Sequence, residues 1–150
     1  MKFVHTNIVA RDWKALAEFY VSVFDCRIKP PVREYQGEWL DRATGLTRAR
    51  LKGAHLVLPG YGDDGPTLEI FTYEEMAWGA DATAATRGFS HIAFEVDDVE
   101  TVLAKALDAG GQMLGQVTRR DVPAGTLVFV YFRDPEGNIV EIQSWDSGEN

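Results

Sequence analysis

The chain has 150 residues, 45% of them hydrophobic and 25% charged, which fits one compact domain or two small halves that share a core. A formal net charge of −8 argues against nucleic acid or an anionic membrane surface as a partner. No segment approaches the ~20 apolar residues of a membrane span, no signal peptide is visible at the start of the chain, and the single cysteine, Cys26, excludes an internal disulfide and a zinc site made of thiolates. We therefore expect a cytoplasmic protein, with Cys26 as an inert small hydrophobe.

The first half of the chain is predicted to form a strand, a helix and three more strands. Alternation predicts a strand over residues 3–10, and apolar side chains at helical spacing after the candidate N-cap Asp12 predict an amphipathic helix of about three turns. Further strands are predicted over residues 26–35, broken by Pro30-Pro31, and over residues 48–58 and 67–73. Residues 37–46 are predicted to contain a helical turn that ends at Gly45, and residues 59–66 a turn.

The second half repeats this order after a linker, residues 74–88, that is rich in Ala and Thr and has some helical tendency. A strand is predicted over residues 88–96, then a helix capped by Asp98 and ended by Gly110-Gly111. Strands over residues 113–118, 126–132 and 139–145 follow, with turns predicted at residues 119–121, 121–125 and 134–137. The chain is thus one domain, 1–150, with a first module of about 1–75, a linker of 76–87 and a second module of about 88–146.

Two histidines and two glutamates occupy corresponding places in the repeat. His5 and His91 lie in the first strand of each half, and each precedes the candidate helix cap by seven residues. Glu69 and Glu141 lie in the last strand of each half, between aliphatic neighbours and four residues after a glycine. An ionised carboxylate in such a buried run needs a partner or a metal ion.

These four side chains predict a metal site. A lone strand histidine is more often a core or rim residue, and a lone strand glutamate more often faces solvent. The equivalent placement of all four instead favours a common cavity between two packed halves, lined by two nitrogen and two oxygen donors. Such a set suits Zn²⁺, Ni²⁺, Co²⁺, Fe²⁺ or Mn²⁺ and does not choose among them.

The paired modules also resemble the vicinal oxygen chelate superfamily over nearly the whole chain. The resemblance rests on His5-Thr6-Asn7-Ile8, Leu68-Glu69-Ile70, the run from His91 to Asp98 and the run from Asp134 to Glu141. It implies an α+β fold of two βαβββ modules that form curved mixed sheets around a central metal cavity. It also implies that His5, Glu69, His91 and Glu141 take the His-Glu-His-Glu ligand positions of bacterial glyoxalase I.

By this resemblance we expect a lyase or isomerase of the glyoxalase type, which chelates a small α-oxygenated carbonyl substrate on the metal and moves a proton with a carboxylate. Glu141 is the first candidate base and Glu69 the second. A homodimer is also expected, with the ligands drawn from one chain or from two. The alternatives are a binding protein of the bleomycin-resistance kind without catalysis, and a metal-dependent dioxygenase that uses three of the four ligands.

Three further residues are candidate substrate contacts. Arg87, four residues before His91, matches a substrate-contacting arginine of some glyoxalases. Tyr73 and Val9 stand where glyoxalase I usually has the Asn and the Arg that help to hold glutathione, so the resemblance leaves the substrate open. His55 is a candidate substrate or neighbouring group at the cavity, although a histidine at a strand rim is the more common case.

Overall fold

A computed structural model describes residues 1–77, 79–123 and 125–146. Trp78, within the predicted linker, lies outside the described residues. The chain divides into two compact units, Met1–Gly79 and Ala80–Asn150. Among the described residues, no helix is long and apolar enough to cross a membrane.

The first unit contains six elements in the described residues. Their order is β1 (His5–Val9), α1 (Trp13–Phe24), β2 (Arg27–Gln36), α2 (Glu38–Thr44), β3 (Arg50–Val57) and β4 (Thr67–Tyr73). The four strands form a sheet in the order β1-β4-β3-β2. The pair β1–β4 is parallel and the other two pairs are antiparallel.

Helix α1 forms where the sequence predicts it and covers one face of this sheet. The Asp12 carboxylate accepts hydrogen bonds from the backbone N–H groups of Lys14 and Ala15 at 3.0 and 3.2 Å, and so caps the free N-terminal donors. The helix packs against β3 and β4. Its buried stripe consists of Leu16, Ala17, Phe19, Tyr20, Val23 and Phe24. Since alternate strand residues point to opposite faces, the other face of the sheet remains for Glu69 and its neighbours.

The second unit follows the same order, except that a strand stands where the first unit has α2. Its elements are β5 (His91–Glu95), α3 (Val99–Asp108), β6 (Gln112–Met113), β7 (Thr118–Val122), β8 (Gly125–Arg133) and β9 (Ile139–Asp146). The sheet order is β5-β9-β8-β6, and β7 also pairs with β8. The pair β5–β9 is parallel, as β1–β4 is in the first unit. The predicted α+β class is confirmed.

Three local predictions are wrong. Of the strand predicted at 113–118, only Met113 and Thr118 lie in strands, at the end of β6 and the start of β7, and Arg119, Arg120 and Asp121, predicted as a turn, lie in β7. Strand β7 is polar because it is exposed, so its sequence lacks the apolar alternation of a half-buried strand. The linker forms no helix in its described residues, 74–77 and 79–88, because it has no apolar stripe to bury.

The turn between β8 and β9 is organised by a buried carboxylate. Asp134 is 0% exposed, and its Oδ1 accepts hydrogen bonds from the backbone N–H groups of Glu136 and Asn138, both at 2.9 Å. The Asn138 side-chain amide also donates to both carboxylate oxygens. Gly137 has a φ of 90°, which a residue with a side chain adopts only under strain. This network fixes the pairing of β8 with β9.

Candidate functional site

In the first unit, His5 and Glu69 lie side by side on neighbouring strands. His5 is the register partner of Thr67, so Glu69 stands two residues further along β4 on the same face. The distance between His5 Nδ1 and Glu69 Oε1 is 3.2 Å. The Glu69 side chain is 12% exposed and that of His5 is 45% exposed. A largely buried carboxylate is therefore held against an imidazole that is partly exposed to solvent.

The second unit repeats this arrangement with the same register. His91 is the partner of Ile139, and Glu141 stands two residues further along β9. The distance between His91 Nε2 and Glu141 Oε2 is 3.0 Å, and the Glu141 side chain is 13% exposed. The other ring nitrogen of His91 lies 3.2 Å from Ser90 Oγ. The structure thus brings the four predicted ligand residues together as two pairs, one in each unit.

The donor atoms of each pair fit a shared divalent ion. Two nitrogen or oxygen atoms that bind one ion at about 2.1 Å lie about 3.0–3.4 Å apart for octahedral to tetrahedral angles. The separations of 3.2 and 3.0 Å fall in this range. Among the described residues, no group of three or more His, Cys, Asp and Glu side chains is arranged to hold a metal ion. Each pair therefore offers two donors.

His55 is a third polar ring in the first unit, beside Glu69. It is the direct partner of Glu69 in the β3–β4 ladder, and its Nε2 lies 3.3 Å from the same Oε1 atom that faces His5. Burial lowers the pKa of His55, and the Glu69 carboxylate opposes this shift. The charges of Arg33, His5 and Lys29 add to the lowering. His55 therefore contacts the glutamate from the neighbouring strand.

Tyr131 occupies the corresponding position in the second unit and was missed by the sequence analysis. It is the direct partner of Glu141 in the β8–β9 ladder, and its ring packs edge-on against His91 at 5.0 Å between centroids. Burial raises the pKa of Tyr131, as do the Glu141 charge and a hydrogen bond to that carboxylate. The signal that could have found it is the turn at residues 134–137, because a short hairpin turn fixes which residues of the two strands face each other.

The other two candidate substrate residues lie apart from the pairs. Arg87 is exposed in a bend four residues before His91. Tyr73 shares a strand face with Glu69 but is four residues further along β4, about 13 Å at the usual rise per residue. It packs against a buried cluster of Leu40, Ala49, Leu51 and Phe71.

A cleft of about 200 Å³ in the first unit is separate from the His5–Glu69 pair. Tyr73 lines it together with Trp13, Glu34, Tyr35, Gln36, Arg50, Leu51, Lys52, Thr72 and Glu74. Its cations face carboxylates, with Lys52 Nζ 3.0 Å from Glu34 and Arg50 Nη1 3.9 Å from Glu74. The cleft therefore presents little uncompensated charge to a ligand.

Comparison with known proteins agrees with this duplicated arrangement. Residues 2–142 match the family model of the Glyoxalase/Bleomycin resistance protein/Dioxygenase superfamily. The chain belongs to this superfamily. A relative from Synechocystis named "Probable lactoylglutathione lyase" is 33% identical over 144 residues, which are 95% of this chain and 94% of the relative.

Solved structures share the fold. A glyoxalase family protein from Bacillus cereus superposes with a TM-score of 0.76 at 20% identity, over 97% of this chain and 93% of that one. A glyoxalase family protein from Enterococcus faecalis has a TM-score of 0.60 at 22% identity, over 95% and 96% of the two chains. The superfamily predicted from the motifs is confirmed.

Proposed function

We propose that this member of the superfamily is a metal-dependent lyase or isomerase of the glyoxalase type that acts on a small α-oxygenated carbonyl compound. The observation that carries the proposal is the duplicated His-Glu pair, with one register and donor separations of 3.2 and 3.0 Å. His5, Glu69, His91 and Glu141 are the proposed metal-ligating residues, drawn from one chain or from two. A superfamily protein that only binds a small molecule would have no need to keep both pairs.

The chemistry divides between the ion and the carboxylates. When bound, the ion would polarise the substrate carbonyl and stabilise the negative charge that develops on its oxygen. Glu141 is the first candidate base: it removes the proton from the hydroxyl-bearing carbon next to the carbonyl, the C–H electron pair becomes the C=C bond of an enediolate, and the carbonyl π pair moves onto its oxygen. The protonated carboxyl then returns the proton to the former carbonyl carbon. The hydroxyl proton passes from one oxygen to the other, so that the first carbon becomes the new carbonyl. The net change is an isomerisation, which consumes no oxidant or reductant.

The buried setting of the two glutamates supports this role. Each carboxylate is about seven-eighths shielded from water yet faces an imidazole, so its position is fixed before a substrate arrives. A fixed carboxylate within reach of the carbon acid avoids the reorganisation that a solvated one would need. Glu69 is the second candidate base, since its contacts with imidazole are of the same kind.

Methylglyoxal hemithioacetals are the first substrates to test. The name of the Synechocystis relative points to the glutathione adduct. Val9 and Tyr73, in place of the Arg and Asn expected from the resemblance, give this chain no matching contacts for glutathione. We therefore propose that adducts of smaller thiols, or α-hydroxyketones such as dihydroxyacetone, are used in its place.

The test begins with protein purified without chelators, in which bound metals are measured before and after incubation with Ni²⁺, Co²⁺, Fe²⁺ and Zn²⁺. We expect tight uptake of one divalent ion per donor set and loss of that ion when His5 and His91 are replaced by Ala. Exchange of the substrate C–H proton in D₂O, followed by NMR, then reports the reaction. A protein that takes up none of these ions would refute the proposal, and oxygen consumption with exchange absent would assign a dioxygenase.

A further inference from the structure

Each unit places one more polar ring against its glutamate, from the strand on the other side. His55 in β3 is the direct partner of Glu69, and Tyr131 in β8 is the direct partner of Glu141. Directly opposite residues of an antiparallel pair have Cβ atoms about 5 Å apart, close enough for their side chains to interact. Every glutamate of the proposed donor set is thus flanked by its histidine on one strand and by a second ring on the next.

The contacts in the first unit are the more specific. His55 Nε2 and His5 Nδ1 lie 3.3 and 3.2 Å from the same oxygen, Glu69 Oε1. The His55 ring is itself held edge-on against Phe71, with 5.8 Å between centroids. Phe71 is buried in the cluster beside α2, so this ring rests on a rigid support.

We propose that His55 is a positioning residue that donates its Nε2–H to Glu69 Oε1 and so turns this carboxylate toward His5. This inference rests on the proposed function, because it assigns to His55 the orientation of one proposed ligand. A glutamate side chain has three rotatable bonds, and ordering it before the ion arrives removes an entropic cost from binding.

The second unit favours positioning over direct ligation by His55. The corresponding residue of the second unit is Tyr131, which lies directly opposite Glu141 in the β8–β9 ladder. An imidazole and a phenol in equivalent places share the ability to donate one hydrogen bond to a carboxylate, and this is the role that both positions require.

The experiment compares His55→Leu, which removes the donor, with His55→Gln, which keeps an N–H donor at similar reach. Co²⁺ affinity and the visible absorption spectrum of the Co²⁺-loaded protein are measured for both. Loss of a hydrogen-bond partner of a ligand typically weakens metal binding about 10- to 100-fold, and we expect this for His55→Leu with a changed spectrum. His55→Gln should restore both. Unchanged affinity in His55→Leu, or no recovery in His55→Gln, would overturn the assignment.

A double-mutant cycle distinguishes the loss of the His55–Glu69 contact from a general loss of structure. In a Glu69→Gln background, His55→Leu should have little further effect on Co²⁺ affinity, because the two residues act through one contact. Additive losses would show that His55 acts elsewhere. Tyr131→Phe is the matched control in the second unit and should leave the coupling between His55 and Glu69 unchanged.

A measurement on the metal-free protein separates this inference from the proposed function. Long-range ¹H–¹⁵N correlation spectra identify which ring nitrogen of His55 carries the proton. We expect protonated Nε2, with a resonance that shifts on Glu69→Gln, even if no ion binds. Protonation at Nδ1 alone, or a His55 signal that ignores Glu69→Gln, would refute the contact whatever the metal data show.

Discussion

The first unit surrounds its glutamate with two imidazoles, whereas the second surrounds its glutamate with one imidazole and one phenol. The strand register that creates these environments is the same in both: the glutamate lies two residues beyond the partner of the histidine and directly opposite the third ring. The backbone arrangement has therefore been kept in both halves while the third ring has diverged. The difference suggests that the His-Glu pair defines the site and that the third ring adjusts each carboxylate separately.

The supports outside the pairs also differ between the units. In the first unit, α2 and its buried cluster lie beside Tyr73 and Phe71. In the second, the sheet is extended by β7, and the connection to its last strand is the five-residue turn around Asp134. Substitutions at equivalent places can test how far this asymmetry reaches.

The largest effect is expected from exchanging the two glutamates for glutamine. Glutamine keeps the shape of the side chain but cannot accept a proton from carbon, so Glu141→Gln should lower the rate of C–H exchange about 10²- to 10⁴-fold. Glu69→Gln should mainly weaken metal affinity and leave part of the exchange at saturating metal. NMR exchange rates over a metal titration separate the two effects. The reverse pattern would assign the base to Glu69.

Asp134→Ala should cause the largest loss of stability. The substitution leaves the part-buried backbone N–H groups of Glu136 and Asn138 without their acceptor, and an unsatisfied buried group of this kind costs about 1–3 kcal/mol. We expect the free energy of unfolding, measured in urea by circular dichroism, to fall by about 3 kcal/mol. Asp64→Ala, at an exposed position between β3 and β4, is the matched control and should change it by less than about 0.5 kcal/mol. Equal losses in both variants would contradict this account of the turn.

The smallest effect concerns the reactivity of the Cys26 thiol. Because the chain has no other cysteine, thiol labelling reports on the first unit alone. Burial, and then the Asp25 carboxylate, raises the pKa of the Cys26 thiol to about 12. A thiol reagent at pH 8 should therefore react slowly with the native protein and quickly in urea. The thiol has a higher pKa in the folded protein than in the unfolded chain, so folding favours its protonated form. Its contribution to the free energy of unfolding is therefore fully present below about pH 8.5 and is lost as the pH rises toward 12.

Labelling rates measured in parallel with circular dichroism would sharpen the comparison between the units. If Asp134→Ala accelerates Cys26 labelling as much as it accelerates global unfolding, the two units open together. If labelling stays slow while the second unit loses structure, they open separately. Rapid labelling of the native protein at pH 8 would contradict the buried placement of the thiol.

Much of this organisation could be predicted from the sequence because it depends on residues that lie close together along the chain. The caps at Asp12 and Asp98, the apolar stripe of α1 and the turn residues around Gly137 are local signals, and the elements follow them closely. The repeat then places the two histidines, and likewise the two glutamates, at equivalent positions of the two modules. Which histidine lies beside which glutamate depends on the parallel pairs β1–β4 and β5–β9.

The remainder depends on partners that are distant in sequence. The contact between His55 and Glu69 requires the register across the turn at residues 59–66, which is too long to fix it locally. Strand β7 was missed because its polar residues form a strand only through pairing with β8. Tyr131 was within reach, since the tight turn implies its pairing with Glu141, but an aromatic residue in an apolar strand is usually attributed to the core.

The turn at Asp134 also limits the insertions that the chain can tolerate. In a strand, a shift of one residue moves every following side chain to the opposite face. A single residue inserted between Asp134 and Asn138 would thus turn the Glu141 side chain away from His91 and toward the face that α3 covers. The connection at residues 59–66 is exposed and longer, so insertions there are expected to leave Glu69 in place. Length variation among descendants of this chain should accumulate in the first half and be nearly absent from the last hairpin.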